Sequence, residues 1–323
     1  MLYPMKLKAP LKDYLWGGTK LKDEYGKVTD KDKVSESWEL ACHKDGMNII
    51  ENGEFAGKTL QEYIDTEGKG VLGENAQKFP YFPILIKLID AKDNLSVQVH
   101  PNDDYAMRVE GEFGKTEMWY IVDCEPDASL IYGFKEKISK EEFAQRIENN
   151  TLLEVCNQVP VKKGDVFFIE AGTLHAIGKG ILIAEIQQNS NTTYRVYDFG
   201  RVGADGKPRE LHVEKAKDVT ALMPPTRPVK PLARIPLASA SDYKMDLLAS
   251  CELFTVFHVD VAGKCSLNVD KSSFQSFTVL DGSLELSSGD EKITVKKGET
   301  VFLPADLGDY ELVGNGEIVL SMV

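Results

Sequence analysis

Long apolar segments are absent from this chain of 323 residues. The most apolar run, residues 81–89, is short and is interrupted by Lys87, whereas a helix that spans a bilayer needs about 20 apolar residues. The N-terminus also lacks the apolar core and the small-residue cleavage site of a secretory signal peptide. We therefore expect a cytoplasmic protein that has no membrane partner.

Paired cysteines are absent as well. The five cysteines are widely spaced and form no C-x-x-C pair: Cys42, Cys124, Cys156, Cys251 and Cys265. An odd number at such spacings excludes both a disulfide framework and a thiolate zinc site. It favours free thiols in a reducing compartment.

Positive charge is scarce. The chain carries 38 Lys and Arg against 51 Asp and Glu, which gives a formal net charge of −13. An acidic surface repels the phosphates of nucleic acids and of anionic lipids. Nucleic acid is therefore excluded as the main partner, and an anionic substrate would need a local cluster of positive charge.

Short apolar or alternating runs fill most of the chain and predict a mainly β protein. Turns rich in Gly, Asp, Asn and Pro interrupt these runs about every ten residues, a spacing typical of β-sandwiches and barrels. The runs cover residues 81–88, 96–100, 117–122, 165–170, 181–186, 193–199, 254–261, 274–280, 292–295 and 300–303.

Two segments carry helix start signals. The pattern T-L-Q-E at Thr59 is a capping box, and it predicts a short helix that ends near Gly68. Ser139 opens a second helix within a predicted helical insertion near residues 137–157.

A proline-rich segment divides the chain. Residues 223–231 hold four of the 14 prolines, and such a segment is extended and pairs poorly with neighbouring strands. We therefore predict two domains, residues 1–232 and residues 233–323, joined by this linker.

The two predicted domains share an internal repeat. A glycine, an acid, an apolar strand and an alanine-containing turn occur at residues 164–172 and again at residues 298–306. His175 and Glu117 of the first copy correspond to Asp309 and Gln275 in the second. The C-terminal copy thus keeps the strand pattern and lacks these two side chains.

Four side chains of the first copy are placed to converge. Gln98 and His100 are two residues apart on one strand and therefore point to the same face. Glu117 begins the next strand, and His175 follows a strand and a tight turn. If these strands are neighbours in a small barrel, the four side chains meet at one interior point. Two imidazoles, a carboxylate and an amide suit Zn²⁺ best, although Fe²⁺ and Mn²⁺ accept similar ligands.

The remaining histidines have no such neighbours. A single histidine in a strand is more often a hydrogen-bonded structural residue than a metal ligand, and only the neighbouring ligand types favour the metal interpretation for His100. We expect structural roles for His43, His212 and His258.

The segments around the four residues resemble known motifs. Residues 164–175 resemble the second cupin motif, with Glu170 in place of the usual proline, and Gln98, His100 and Glu117 resemble the first, with Gln98 in place of the usual first histidine. The strings L-S-V-Q-V-H-P, G-K-T-E-M-W-Y, A-G-T-L-H-A-I-G and T-Y-R-V-Y-D, with W-G-G and E-S-W-E near the N-terminus, resemble the type I mannose-6-phosphate isomerases. The chain length and the short helical insertion are similar to the compact bacterial branch of that family.

This resemblance implies a fold, a cofactor and an activity. The fold would be two cupin-type (jelly-roll) β-barrels with a short helical insertion, the C-terminal one without metal. One Zn²⁺ per chain would be held by His100, Glu117 and His175 with Gln98 as the fourth ligand, and Arg195 would be an active-site arginine. The activity would be interconversion of mannose 6-phosphate and fructose 6-phosphate through an enediol, by a monomer or a weak homo-oligomer whose partner is a small phosphorylated sugar.

Several roles stay open at this level. Lys115 is either a phosphate or hydroxyl contact or a solvated loop lysine. The planar donors of Arg195 suit an enediolate or a phosphate, and a surface salt bridge is the alternative. The base that transfers the proton is open among a metal-bound water and three carboxylates, Glu39, Glu185 and Asp198.

Two other functions compete with the isomerase. A metal-dependent cupin oxygenase would prefer iron in an open facial triad. A non-catalytic phosphosugar-binding module would need no metal, so the joint presence of the four candidate ligands and Arg195 speaks against it.

Overall fold

Strands are the main regular elements of the computed structural model, which describes residues 2–203 and 206–323. β-branched and aromatic side chains, which pack well on a pleated surface, are frequent in these segments. The strands are β1 (Met5–Lys8), β2 (Leu11–Lys12), β3 (Glu36–Leu40), β4 (Cys42–His43), β5 (Gly46–Met47), β6 (Ile49–Ile50), β7 (Ile84–Ala91), β8 (Val97–Val99), β9 (Glu117–Cys124), β10 (Ser129–Phe134), β11 (Cys156–Pro160), β12 (Val166–Ile169), β13 (His175–Ile177), β14 (Ile181–Gln188), β15 (Tyr194–Tyr197), β16 (Ile235–Ser239), β17 (Tyr243–Ser250), β18 (Thr255–Val269), β19 (Gln275–Ser288), β20 (Glu291–Lys296), β21 (Thr300–Leu303) and β22 (Gly308–Met322).

The helices are short. The α-helices are α1 (Lys20–Asp23), α2 (Leu60–Glu67), α3 (Asp103–Val109), α4 (Lys140–Glu148) and α5 (Val213–Val219), and 3-10 turns lie at Lys69–Leu72, Asn75–Lys78 and Leu152–Val155. The capping box predicted at Thr59 is confirmed, since Thr59 and Glu62 bond each other's backbone N–H at the start of α2. Ser139 caps α4 in the predicted insertion. Within the described ranges, no helix is long and apolar enough to cross a membrane.

Helices α1, α3 and α5 are additional to the predicted ones. They have four, seven and seven residues, about two turns at most, which is too short to establish an apolar periodicity. The side chain of Asn102 caps α3 by accepting the backbone N–H of Tyr105 at 3.0 Å.

The chain forms two compact units, and the segments that build them alternate along the sequence. Unit 1 contains the residues up to Lys12, Thr19–Leu88 and Ala233–Val323, and unit 2 contains Asp13–Gly18 and Ile89–Leu232. Residues 221–234 form no helix or strand. The division into domains 1–232 and 233–323 stays a prediction from the sequence.

Unit 1 contains a long antiparallel sheet. Its strand order is β16-β17-β18-β22-β19-β21-β1-β6, and β20 pairs with β19. Strands β18 and β22 pair along their whole length, from Thr255 opposite Met322 to Val269 opposite Gly308. The buried core of these strands includes Val259, Cys265, Phe277, Val301, Tyr310 and Leu320.

Unit 2 packs two sheets against each other. One has the order β11-β10-β13-β8-β15, and the other runs β12-β9-β14-β7, where residues 89–91 of β7 belong to this unit. Side chains from both sheets form a shared core that includes Trp119, Tyr132, Phe167, Ile177 and Ile183. The other face of the five-stranded sheet is covered by α4 and α5 through a core that includes Val97, Phe134, Phe143, Ala176, Val196 and Ala216.

The predicted mainly β class is confirmed, but the sheets are open. Every sheet of the described residues has a linear strand order in which the two end strands do not pair. Closure into jelly-roll barrels is therefore not observed. Closure depends on strand tilt and stagger, which alternating apolar patterns do not specify.

The strand pairing inside each copy of the repeat has the same register. In the first copy, Ile169 of β12 lies opposite Glu117 of β9. In the second, Leu303 of β21 lies opposite Gln275 of β19. The correspondence between Glu117 and Gln275 predicted from the sequence is thus confirmed in the strand pairing.

The five cysteines are free thiols, as predicted. Burial raises the pKa of the Cys156 thiol to about 12, so this side chain stays protonated and behaves as a small apolar group.

Candidate metal centre

Three of the predicted ligands meet in unit 2. His100 directly follows β8, Glu117 begins β9 and His175 begins β13, and their ligand atoms all lie within 4.8 Å of one another. His100 Nε2 lies 3.7 Å from Glu117 Oε2, and His175 Nε2 lies 3.5 Å from Glu117 Oε1. All three side chains are almost completely buried. The convergence expected from the spacing is therefore present.

The backbone fixes the orientation of both imidazoles. Nδ1 of His100 is 2.9 Å from the carbonyl oxygen of Thr192, and Nδ1 of His175 is 2.8 Å from that of Thr173. Since a carbonyl only accepts, Nδ1 carries the proton in both rings, and the Nε2 lone pairs face Glu117. Metal-ligating histidines are commonly oriented by such a second hydrogen bond.

Burial keeps His175 in the form that binds metals. It lowers the pKa of His175 to about 4, while the hydrogen bond to the Thr173 carbonyl acts in the opposite direction. The ring is therefore neutral near pH 7, and neutral imidazole is the form that coordinates a cation.

Gln98 lies beside these residues. It is directly opposite His175 in the pairing of β8 with β13, and its Nε2 atom lies 3.5 Å from His175 Nε2. A side-chain amide offers its oxygen or its nitrogen to the same point after rotation about one bond. Gln98 is thus placed to contribute the fourth ligand predicted from the sequence.

The donor set fits a divalent cation. The distances from Glu117 to the two histidines exceed a normal hydrogen bond. Ligands held at about 2.0–2.1 Å in a tetrahedron lie roughly 3.3 Å apart, which is close to the observed distances. Two imidazoles, a carboxylate and an amide suit Zn²⁺ and also accept other first-row metals.

Lys115 is buried and is not the solvated loop lysine of the alternative interpretation. Its Nζ atom lies 2.9 Å from Glu117 Oε2 and 3.6 Å from Glu185 Oε1. Glu185 also accepts the indole N–H of Trp119 at 3.0 Å. The ring of Trp119 packs edge-on against His175, with 5.4 Å between ring centroids. A network of charged and polar groups therefore borders the candidate ligands.

The three candidate bases have different surroundings. Glu39, in unit 1, forms an ion pair with Lys27 at 2.7 Å and accepts the hydroxyl of Thr300. Asp198 accepts hydrogen bonds from two arginines. Of the three, Glu185 is the one that contacts Lys115, which in turn contacts the candidate ligand Glu117.

Arg195 lies on the strand next to Gln98. The two residues are directly opposite each other in the pairing of β15 with β8. Nη1 of Arg195 donates to the carbonyl oxygen of Glu210 at 3.0 Å, whereas its buried Nε finds no acceptor among the described residues. Burial lowers the pKa of Arg195, and the nearby guanidinium of Arg209 lowers it further. The sequence pattern contains no signal for this neighbour, which lies 14 residues further along the chain.

The corresponding positions of the C-terminal copy are occupied by Gln275 and Asp309, which form hydrogen bonds within that copy. The hydroxyl of Tyr310 donates to Gln275 Oε1 at 2.8 Å, and Gln275 Nε2 donates to the carbonyl oxygen of Asn268. Asp309 is hydrogen-bonded to the side chain of Asn268 at 2.7 Å. Neither of these two positions carries a histidine or a glutamate.

A second group of potential ligands lies elsewhere in unit 1. His258, Asp260 and Glu317 bring their ligand atoms within 4.8 Å of one another. His258 Nε2 bonds Glu317 at 2.9 Å, and the guanidinium of Arg234 donates to His258 Nδ1. The imidazole of His258 thus contacts both a guanidinium and a carboxylate, and its structural role stays a prediction.

The chain matches two family descriptions. Residues 4–125 match the family "Phosphomannose isomerase type I, catalytic domain", and residues 244–323 match "Mannose-6-phosphate isomerase, cupin domain". The second match lies in the C-terminal copy of the repeat.

Full-length relatives carry the same name. Mannose-6-phosphate isomerase ManA of Bacillus subtilis is 39% identical over 319 residues, which cover 98% of this chain and 98% of the relative. The mannose-6-phosphate isomerase of Streptococcus mutans is 36% identical over 321 residues, or 99% of this chain and 98% of the relative. The crystal structure of the mannose 6-phosphate isomerase from Bacillus subtilis superposes with a TM-score of 0.90 at 34% identity, covering 99% of both chains. The cupin-type fold is thereby confirmed.

Proposed function

The chain belongs to the type I mannose-6-phosphate isomerases, and we propose that it interconverts mannose 6-phosphate and fructose 6-phosphate with one Zn²⁺ through an enediol. This proposal rests mainly on one observation, that the Nε2 atoms of His100 and His175 meet the carboxylate of Glu117 in a buried cluster. Gln98 completes the ligand set that we assign to the cation.

The reaction moves hydrogen between two carbons. In the aldose-to-ketose direction, the C–H bond at carbon 2 breaks and a new C–H bond forms at carbon 1, while the hydroxyl proton of oxygen 2 is lost and oxygen 1 gains one. Negative charge develops on both oxygens along this route. A divalent cation held by His100, Glu117 and His175 supplies electrostatic stabilisation of that charge.

We assign Lys115 to the end of the substrate that contains carbons 1 and 2. Its buried ammonium lies beside Glu117, so it can donate a hydrogen bond to a sugar oxygen that contacts the site. A preorganised donor in a buried site stabilises developing charge without reorganisation of solvent. We therefore assign Lys115 to a sugar oxygen and not to the phosphate.

Glu185 is assigned as the proton carrier. Its carboxylate is buried, and it is connected to the candidate ligands through Lys115. The indole N–H of Trp119 holds one carboxylate oxygen, which fixes the direction of the other. A positioned carboxylate can take the proton from carbon 2 and return it to carbon 1.

The test is turnover by the purified, zinc-loaded protein in deuterated water. We expect mannose 6-phosphate to form fructose 6-phosphate that carries solvent deuterium at carbon 1, because the carbon-bound proton passes through an exchangeable carrier. Absence of fructose 6-phosphate contradicts the isomerase, and full retention of the original hydrogen contradicts proton transfer through an exchangeable carrier. Consumption of oxygen would identify the oxygenase alternative, and phosphosugar binding without turnover the binding module.

A further inference from the structure

Three arginines gather at the edge strand β15 of the five-stranded sheet. Arg195 lies on β15, and Arg201 and Arg209 both bond the carboxylate of Asp198, which directly follows β15. The guanidiniums of Arg209 and Arg201 both lower the pKa of Arg195, so the three charges interact. On a chain with an excess of acidic residues, this is a local concentration of positive charge.

Arg201 and Arg209 use their donors differently. Arg201 donates Nε to the carbonyl oxygen of Asp198, Nη1 to the carbonyl oxygen of Asn94 and Nη2 to Asp198 Oδ1. Arg209 donates Nε to Asp198 Oδ2 at 2.7 Å and Nη2 to Asp198 Oδ1 at 2.5 Å. No described residue accepts a hydrogen bond from Nη1 of Arg209. Arg201 therefore anchors the carboxylate, whereas Arg209 is held rigidly with a donor still available.

Arg195 has an available donor as well. Its Nε–H is buried and finds no acceptor among the residues that the structure describes. A buried donor without an acceptor is costly, and a ligand that supplies the acceptor removes this cost. The cluster thus offers unsatisfied N–H groups from two guanidiniums.

The charge of the cluster suits a phosphate monoester. Arg201 and Arg209 bond the carboxylate of Asp198, and Arg195 lies within electrostatic range of both arginines, so three guanidiniums and one carboxylate leave two positive charges. A phosphate monoester carries about −1.5 to −2 at pH 7. The carboxylate of Glu210 offsets part of the charge on Arg195, but its side chain is exposed to solvent. Guanidiniums bind phosphate through paired N–H donors.

The distance of the arginine cluster from His175 suits the phosphate end of the substrate. Arg195 is opposite Gln98, and Gln98 is opposite His175, so two strand spacings separate the backbones of Arg195 and His175. This is roughly 10 Å, since neighbouring strands lie about 4.7–4.9 Å apart. A hexose phosphate whose first two carbons lie beside His175 can extend its phosphate along this row.

We propose that Arg209 and Arg195 bind the phosphate group of the substrate, and that Asp198 is the positioning residue that holds Arg209 for this contact. The identity of the phosphate as part of a sugar rests on the proposed function. Binding of a phosphate dianion by the cluster does not, and it can be measured without turnover.

The first test compares Arg209→Gln with the wild-type protein, both loaded with zinc, using inorganic phosphate as the probe. Calorimetry should show a dissociation constant for phosphate at least tenfold higher in R209Q. The KM for mannose 6-phosphate should rise about 10–100-fold with little change in kcat, the loss expected for charged hydrogen bonds that do not involve the reacting carbons. Arg227→Gln is the matched control, because Arg227 also bonds a carboxylate, that of Glu170 at 3.0 Å, and R227Q should bind phosphate like the wild type.

The second test separates positioning from charge. Asp198→Asn removes a negative charge, so electrostatics alone would tighten the binding of inorganic phosphate. We expect weaker binding, because Arg209 loses its clamp, and Arg209→Lys should recover only part of the wild-type affinity, because an ammonium lacks the planar pair of donors. Tighter or unchanged binding by D198N would overturn the positioning role. If D198N does not fold, R209K decides the question, since full wild-type affinity in R209K would overturn the need for a clamped guanidinium.

The outcomes distinguish this inference from the proposed function. Equal phosphate binding and equal KM in R209Q and the wild type would overturn the phosphate site even if the wild type is a fast isomerase. Loss of phosphate binding in R209Q would support the site even if the wild type did not turn over mannose 6-phosphate, a result that would contradict only the proposed activity.

Discussion

Gln98 lies directly opposite His175 in the antiparallel pairing of β8 with β13, and 3.5 Å separates their side-chain nitrogens. Residues paired in this way share one face of a sheet. The same row continues to Tyr132 on one side and to Arg195 on the other. A single line of cross-strand neighbours thus connects the candidate metal ligands with the arginine cluster.

Replacing His175 tests the metal site. His175→Ala should retain far less than one equivalent of zinc and should lose its isomerase activity, because loss of a ligand exceeds the roughly 10–100-fold cost of losing an outer-shell partner. Metal analysis of the purified protein and a turnover assay measure both effects. His43→Gln, which removes a buried histidine remote in sequence, should keep its zinc, and retention of zinc by H175A would contradict the assignment.

Replacing Arg195 separates substrate contact from metal binding. Arg195→Ala should keep one zinc per chain, because Arg195 is one strand beyond the ligands. Its kcat/KM should fall about 100-fold, the order expected when charged hydrogen bonds to substrate are lost. Metal content and steady-state kinetics of the same sample are the measurement, and an unchanged kcat/KM would remove Arg195 from the site.

Trp119 offers a test of the network around Glu185. Trp119→Phe removes the indole N–H that donates to Glu185 Oε2 at 3.0 Å, which should lower the free energy of unfolding by about 1–3 kcal/mol beyond the loss of packing. Trp16→Phe is the control for ring size, because Trp16 belongs to the same buried core. Urea unfolding measures the difference, and equal losses in W119F and W16F would show that this hydrogen bond adds nothing.

The Asp198 cluster predicts a pH dependence of stability. Burial raises the pKa of Asp198, but hydrogen bonds from Arg209 and Arg201 outweigh it and lower the pKa below 3.8. Because the folded-state pKa is lowered, the stabilisation is complete above pH 3.8 and is lost as the pH falls through the folded-state value. The stability difference between the wild type and D198N should therefore shrink on acidification below pH 4, whereas a difference independent of pH would refute the coupling.

The capping box of α2 predicts a local effect in unit 1. Thr59→Ala removes the side chain that accepts the backbone N–H of Glu62, and it should cost about 1 kcal/mol of stability. Thr19 occupies the same position at α1 without a side-chain hydrogen bond. Thr19→Ala should therefore cost less than about 0.5 kcal/mol, and equal costs in chemical unfolding would argue against the capping assignment.

Much of the candidate site was predictable from the spacing of residues along one strand and from the internal repeat. Gln98 and His100 share a strand face by their spacing, and the repeat aligns Glu117 with Gln275 in the pairing that the structure shows. Each of the ten predicted runs overlaps an observed strand, because apolar runs between turn residues favour strands. One example is residues 181–186 within β14. Other strands, including β10, β17 and β22, were not predicted.

Other contacts depend on the tertiary pairing of distant segments. The approach of Lys115 to Glu185 follows from the register in which Glu185 lies opposite Trp119, and no local pattern encodes that register. The clamp of Arg209 on Asp198 joins residues that are 11 positions apart in the sequence. Barrel closure was wrongly expected for a similar reason, because it depends on sheet geometry and not on residue alternation.

The most direct test of the central claim is the dependence of turnover on zinc in the wild-type protein. The protein is stripped with a chelator, dialysed and titrated with Zn²⁺ while the conversion of mannose 6-phosphate to fructose 6-phosphate is followed. We predict negligible turnover in the stripped protein and a linear rise that saturates at one equivalent of zinc per chain. Full turnover without metal, or no turnover at any zinc level, would contradict the account.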